Sequence, residues 1–497
     1  METSCWRRLR RKKCDHGFLG AAEPQRDQPA VELSDAATIQ TAEKSVFEPG
    51  GFPAISRRLS AATPPVTTSQ RLDPGPARTL GKLGKLRDLR PGHVNCISIC
   101  VSTTESFTRR RVMADVRIGL EEITCHFHEL EDPRSTINQK HPLVSVLVIA
   151  IMAVLAGANG PTAIAKWAKI KGSFLLGVLN LPNGIPRKDV FRRVLVSLKP
   201  AAFQACFVNW LGCLREAAAE KTGIEQPILA VDGKTVRRSH DRKNGLGALH
   251  SVSVWASEFG LSLGQVACAE KSNEITAIPE LLRLVDIKGA IITIDAMGTQ
   301  KAIAAQIVDQ GADYVLALKG NQETLHNAVI DYVGEQSKND FADIDVRRHT
   351  TTEKGHGREE IRHYFHMPVP TDLKQMELWK GLKSIGVAIS ICVRDGKETV
   401  ETRYYISSLA VSVECFARAV RSHWGIENTC HWSLDMTFRE DESRIRDQLM
   451  RENFAWINRL VLSLLKQHGG KDSIIMKRRN CGWDENFLMQ VLAGTTT

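Results

Sequence analysis

The spacing of apolar residues changes several times along this chain, and each change marks an element. Four apolar residues, Ile228, Leu229, Ala230 and Val231, follow Pro227 and stop on Asp232. The run is too short for a helix and has no alternating polar face, which predicts a strand covered on both sides. Residues 289–295, Gly-Ala-Ile-Ile-Thr-Ile-Asp, repeat the pattern and stop on Asp295. Between the two lie β-rich runs over 248–258 and 261–271, joined across Phe259-Gly260 as in an antiparallel hairpin, and a helical spacing over 277–285. A helix over 300–310, a strand over 314–318 and a Lys319-Gly320-Asn321 turn into another helix complete the series. The order β-β-β-α-β-α-β-α, with a meander first and crossovers later, predicts an α/β fold whose mixed sheet is covered by helices.

That order is the one found in the ribonuclease H fold. Upstream, residues 115–222 read as helical, with Phe191, Val194, Leu195 and Leu198 on one face of a segment over 189–198. Residues 143–158 carry Ser145 as their sole polar side chain; about 20 apolar residues are needed to cross a bilayer, so a buried core helix is expected. Downstream, 341–409 turns to extended segments, a β-rich insertion, and helical spacing returns at Val413 with Phe416, Val420, Trp424, Glu427 and His431 along one stripe. Residues 1–112 are rich in proline, serine and short basic clusters, which predicts disorder. Met113 would serve as a start codon, so this stretch reads as a non-native extension or, alternatively, as a basic arm gripping nucleic acid. The expected organisation is therefore 1–112, a helical domain over 113–222, a first segment of the α/β core over 223–340, the insertion over 341–409, and the last core helices over 410–497.

Charge and cysteine content change the picture only modestly. A net charge of +10 and a pI near 9.0 favour a polyanionic partner. Twelve cysteines, scattered singly without a C-x-x-C pair, point to a reducing compartment and away from a disulfide framework. No apolar run of signal-peptide length follows the basic residues at the start. Arg187, Lys188, Arg192 and Arg193 surround one helix, which suits a DNA-facing surface as well as a solvated one.

Two strands side by side would bring Asp232 and Asp295 to one sheet edge. Acids held close repel one another, so such a site normally contains cations, and Mg²⁺ is bound through one or two carboxylates plus substrate phosphate oxygens. Each Asp could instead cap the turn that follows its strand. Glu427 interrupts an otherwise apolar stripe, so it is expected to face inwards and to be paired or metal-bound. Arg421, Arg439 or a neighbouring His would serve as an ion-pair partner, whereas Cys430 and His431 do not converge as a tetrahedral zinc site requires.

Five ordered motifs carry a family resemblance: Leu-Pro-Asn-Gly-Ile-Pro at 181–186, Val-Asp-Gly-Lys at 231–234, Ile-Asp-Ala-Met-Gly-Thr-Gln at 294–300, Leu-Lys-Gly-Asn-Gln at 318–322 and His-Trp-Gly-Ile-Glu-Asn at 423–428. From about Glu121 onward the chain resembles the DDE transposases of bacterial insertion sequences, in the ISAs-type group that includes the H-repeat-associated proteins. The resemblance implies a ribonuclease H-like core with a β-rich insertion before its last helix, preceded by a transposase-associated helical domain. It also implies that Asp232, Asp295 and Glu427 are catalytic acids and metal ligands. Two Mg²⁺ ions, replaceable by Mn²⁺, would serve cleavage and strand transfer on double-stranded DNA, with terminal inverted repeats and target DNA as partners and a homodimer on DNA in the bacterial cytoplasm. Lys234, Lys319 and Arg421, together with Arg192 and Arg193, are the candidate phosphate contacts. Related transposases carry a Tyr/Arg/Glu/Lys signature around the glutamate, but Val420, His423 and Leu434 stand at the other three positions here, so those roles do not carry over. A nuclease without strand transfer and a DNA-binding relic are the alternative functions.

Overall fold

The computed structural model describes residues 124–268, 274–355 and 357–493. The expectations for residues 1–112 and for the end of the second hairpin run, 269–271, lie outside these residues. Leu143–Leu155 forms helix α1, and every residue in it except Val144 is buried, as a uniformly apolar segment requires. Helices α2 (Pro161–Ile170), α3 (Gly172–Val178), α4 (Lys188–Ser197) and α5 (Pro200–Thr222) follow, α2 and α4 packing directly on it and α3 on α2. Proline opens α2 and α5, where its missing N–H costs no helical bond. On α4, Phe191, Val194 and Leu195 turn inwards and Arg192 and Arg193 outwards. No single described helix is long and apolar enough to cross a membrane.

The sheet begins with the meander β1 (Ile228–Val236), β2 (Leu249–Ala256) and β3 (Leu261–Cys268), antiparallel throughout. Strands β4 (Ile291–Ile294) and β5 (Asp313–Leu318) then add in parallel to β1, each after a helix: α6 (Glu274–Leu284) and α7 (Lys301–Asp309). The resulting order 3-2-1-4-5, with three antiparallel strands followed by two parallel ones, is the ribonuclease H-like arrangement. Helix α8 (Glu323–Lys338) leads to the insertion, four long strands β6 (Arg347–Gly355), β7 (Arg358–Pro368), β8 (Ser384–Arg394) and β9 (Lys397–Ser407). β9 pairs antiparallel with β5, from Val315 opposite Ser407 to Leu318 opposite Tyr404, so the insertion continues the same sheet to nine strands. Its outer ends, 347–355 and 393–402, are mostly exposed.

Helix α9 (Val413–Gly425) crosses the sheet and continues through a π-helical turn, Ile426–His431, into α10 (Trp432–Met436). Phe416 anchors α9 by packing its ring on Gly386 of β8, where an added Cβ would stand 2.3 Å from the ring. Helix α11 (Gln448–Gln467) joins the two halves of the protein. Its Asn453 amide donates to the carbonyls of Leu195 (2.9 Å) and Leu198 (3.0 Å), and the Trp456 indole donates to Gln204 (2.9 Å). The N-terminal helices and the sheet consequently share one apolar core. Helices α12 (Ile474–Trp483) and α13 (Glu485–Ala493) close the chain.

Candidate active site

The register of β1 against β4 decides how the first two acids meet. The parallel pairing runs from Ile228 opposite Ile291 to Val231 opposite Ile294, so Asp232 on β1 and Asp295, just past the end of β4, are the next residues of the two neighbouring segments. Neighbouring strands lie about 4.8 Å apart, and equivalent positions in a parallel pair face the same side. The strand itself does not end at Asp232, as the apolar run suggested. It continues to Val236 because β2 goes on pairing with it, Asp232 lying opposite Ser253. Asp232 therefore sits where β1 loses its parallel partner, and its Oδ1 accepts the Gly233 N–H at 2.8 Å.

Two of the sequence motifs fasten the loop behind Asp295. The Gly298 N–H donates to Asp295 Oδ1 (3.2 Å), and the Thr299 hydroxyl donates to the carbonyls of Asp295 (3.1 Å) and Ala317 (2.8 Å). From Leu-Lys-Gly-Asn-Gln, the Asn321 amide donates to the Ala296 carbonyl (2.5 Å) and the Gln322 amide to the Thr299 carbonyl (3.1 Å). Satisfying loop carbonyls with side chains fixes a turn that no strand or helix would otherwise hold.

The third acid is placed differently from expectation. Glu427 is exposed, not buried, because the π turn shifts the inward-facing set by one position. Val420 is buried in α9, but in the π turn the buried residues are Ile426 and Cys430, which leaves Glu427 on the open side. It still meets Asp295, since both line a cavity of about 160 Å³ together with Lys319, Arg403, His423 and Trp424. Close approach fixes the helix there: the Ser257 hydroxyl donates to the Ser422 carbonyl at 2.6 Å, and a Cβ added to Gly425 would stand 2.9 Å from Ser257 Oγ. His423 shares a 3.0 Å hydrogen bond through Nδ1 with Thr293 Oγ1, two residues before Asp295, and burial pushes its pKa down to about 4.

Behind Asp232 the structure places Lys234, expected as a phosphate contact, against other partners, beside groups that no motif announced. Lys234, two residues along the same strand face, is buried, and its ammonium meets Asp435 Oδ1 at 2.6 Å and Asp441 Oδ1 at 3.4 Å. Lys234 is thus committed to carboxylates that follow the π turn, which ties the strand of Asp232 to the segment after Glu427. His250 and Glu274 form a buried contact of 2.6 Å beside Gly233, where an added Cβ would stand 2.3 Å from the Glu274 carboxylate. His431 Nδ1 lies 3.5 Å from Asp232 Oδ2. This contact is not an ion pair, because each partner is pushed towards its neutral form. Burial, with help from Arg459 and Lys234, lowers His431 to about 3.

Asp232 itself is pushed up to about 7. Burial is the main cause and the charges of Asp295, Glu427 and Glu274 add to it, opposed by the Gly233 N–H. The three sequence-predicted acids therefore share one electrostatic field. Their donors are all hard carboxylate oxygens, the kind a divalent cation such as Mg²⁺ takes, and a cation would relieve the repulsion that raises Asp232. Among the described residues, however, no three His, Cys, Asp or Glu side chains converge as a ready-made metal cage. The donor chemistry fits such an ion, while the three carboxylates do not already converge on one point.

The other predicted contacts divide. Lys319 is exposed and lines the Asp295 and Glu427 cavity. Arg421 points elsewhere, with Nε and Nη2 on the Glu353 carboxylate at 3.2 and 3.1 Å, on the wall of a separate cavity of about 810 Å³. Arg192 and Arg193 stay exposed on α4, Arg193 donating to Asn138 Oδ1 at 2.9 Å, and neither lines the cavity of the acids. Arg403, on β9, lines that cavity although nothing in its local sequence singled it out. The pairing of β9 with β5 is what brings it there.

Comparison with known proteins covers the same regions. Residues 124–211 match the family described as DDE_Tnp_1-associated, and residues 223–464 match the family described as Transposase DDE domain. The chain is 39% identical over 385 residues to the "H repeat-associated putative transposase YhhI" of Escherichia coli K12, covering 76% of this chain and 99% of that protein. It is 41% identical over 288 residues to an uncharacterized protein encoded in the dhlA 3' region of Xanthobacter autotrophicus, covering 57% and 92%. Among solved structures, the piggyBac transposase synaptic complex with hairpin DNA aligns over 75% of this chain and 77% of that one, with 11% identity and a TM-score of 0.31.

Proposed function

The chain belongs to the family of transposases with a DDE domain, and from that premise we propose that it cuts DNA at insertion-sequence ends and joins the freed 3′ ends to target DNA. Asp232, Asp295 and Glu427 are the catalytic acids of this reading. The observation that carries it is the field they share: Asp232 stands beside Asp295 by strand register, Glu427 opens onto the Asp295 cavity, and together with burial they raise Asp232 to about 7. A relic that only binds DNA has no need for such a cluster, because mutual repulsion of this kind destabilises the empty fold.

Members of the family use divalent metal, and here the three acids would hold it, as two Mg²⁺ ions or Mn²⁺ in their place. When bound, the metal makes the attacking oxygen more acidic and stabilises the leaving oxygen of an in-line displacement at phosphorus. The chain's own residues do the rest. Asp232, raised to about 7, is divided between its acid and carboxylate forms near neutrality, and a bound cation would favour the carboxylate. Lys319 offers a positive charge to a DNA phosphate entering the cavity. Lys234 keeps the strand of Asp232 in register with the helix of Glu427 through Asp435 and Asp441. The Asn321 and Gln322 amides hold the Asp295 loop, so that its carboxylate meets the phosphate without a search through loop conformers.

The test uses the full chain, a supercoiled target plasmid and short duplexes carrying the inverted repeats found in the DNA flanking its gene. Covalent joining of duplex 3′ ends to the plasmid in Mg²⁺ supports the reading. Nicking without joining would replace the transposase with a nuclease on the same fold.

A further inference from the structure

The helix that carries Glu427 brings no Lys or Arg to the cavity of the acids. Val420 and Leu434 are buried and apolar, His423 is hydrogen-bonded to Thr293, and Arg421 is turned onto Glu353. A DNA phosphate entering the cavity meets the carboxyl groups of Asp295 and Glu427, so the site needs fixed positive charge from another element. Among the described residues, two Lys or Arg side chains line the cavity: Lys319 at the end of β5, and Arg403 on β9.

Arg403 is held as a presented fork. Its guanidinium lies 4.4 Å over the Trp424 ring, which fixes the plane, and its Nε and Nη2 donate to the two oxygens of Glu401 at 2.8 and 3.0 Å. A planar fork satisfied by a carboxylate has the geometry that also takes two oxygens of a phosphate. The partners differ in access. The Arg403 side chain is 29% exposed and that of Glu401 is 59% exposed, so the carboxylate is the member free to swing away. Arg403 and Trp424 also line an adjoining groove of about 290 Å³ along β7, β8 and β9, which places the fork at the doorway between groove and acids.

We infer that Arg403 is a DNA-phosphate contact of this site, and that Glu401 occupies its fork as a phosphate mimic until DNA displaces it. The contact supplies from the insertion the positive charge that the helix of Glu427 lacks. This rests on the DNA-cleaving reading above, and the test separates the two.

Affinity of the full chain for a labelled random-sequence duplex is measured against salt concentration for wild type, Arg403→Gln, Glu401→Gln and the double variant, with a melting curve for each. Arg403→Gln should flatten the slope of log affinity on log salt by about 0.9, the change expected when one phosphate is no longer neutralised. Glu401→Gln should bind about two- to fivefold tighter, the range that releasing an exposed ion pair supports. The double variant should behave as Arg403→Gln alone, since Glu401 acts only through the fork. If Arg403 merely steadied Trp424, its removal would lower the melting point with the slope unchanged, and Glu401→Gln would bind no tighter. That pattern overturns the inference, and the Glu401→Gln arm decides it even if Arg403→Gln folds poorly. Should wild type cut DNA in an Asp295-dependent way while these slopes stay equal, the inference falls alone; should wild type neither bind nor cut DNA, the functional reading falls with it.

Discussion

Replacing Asp232 with Asn should stabilise the metal-free protein, and only above the acid range. The carboxyl rises from a reference of 3.8 to about 7, so across that window the folded chain holds a proton that the unfolded chain has released. Stability therefore falls as pH rises from about 4 to about 7 and levels off above, the reverse of an acid lowered by an ion pair. Three pH units at 1.36 kcal/mol each set a ceiling of about 4 kcal/mol. The carboxyl is one-fifth exposed, so about 1–3 kcal/mol is the expected gain once solvent and side-chain relaxation are counted. Asn is nearly isosteric with the protonated acid, so wild type and Asp232→Asn should unfold together at about pH 4 and below in EDTA. By pH 8 the variant should melt a few degrees higher. Added Mg²⁺ should raise the wild-type midpoint at pH 8 and close most of that gap, because a cation favours the ionised carboxylate. An Asp232→Asn protein that melts lower than wild type at every pH would refute the reasoning, by showing that the carboxylate makes a favourable structural pair.

Three further outcomes follow from the same geometry. Lys234→Met should lower stability by about 1–3 kcal/mol in urea unfolding, since Asp435 and Asp441 lose their buried partner, and high salt should recover part of the loss. Gly425→Ala should destabilise by about 1–3 kcal/mol through its clash with Ser257, and Ser257→Gly in the same chain should restore part of it, less the lost Ser257–Ser422 hydrogen bond, as double-variant melting will show. Replacing Arg192 and Arg193 with Ala should flatten the salt dependence of DNA affinity by about 0.9 for each phosphate that either arginine neutralises, and an unchanged slope would return α4 to a solvated face.

The order of strands was readable because each core strand announces itself by composition: 228–231 and 291–294 are covered on both faces and carry little else but apolar residues. The nearness of Asp232 and Asp295 followed from that same pattern, and the observed register places them side by side. Glu427 was harder. An α-helical stripe drawn through Phe416 and Val420 points Glu427 inwards, and nothing in Ile-Glu-Asn-Thr-Cys-His signals that the turn widens to π. Burial was thus the wrong ground for singling it out, while its place at the cavity with Asp295 is a better one. Lys234 beside the Asp232 position looked like a phosphate contact, but its partners lie some two hundred residues away in sequence and only the fold brings them near. The same holds for Arg403, which depends on the pairing of β9 with β5, and for Glu274, whose charge reaches Asp232 from the first turn of α6.

The central claim is that three acids from separate elements perform one chemistry, and Glu427 tests it best, because its exposure gives it the least structural reason to matter. The measurement is the rate of strand cleavage of a labelled insertion-sequence end by the full chain in Mg²⁺, with Glu427→Gln beside wild type. Loss of several kcal/mol of transition-state stabilisation predicts a rate roughly a thousandfold lower or worse, with DNA affinity and the metal-free melting point no lower than those of wild type. A Glu427→Gln protein that cuts at close to the wild-type rate would contradict the account.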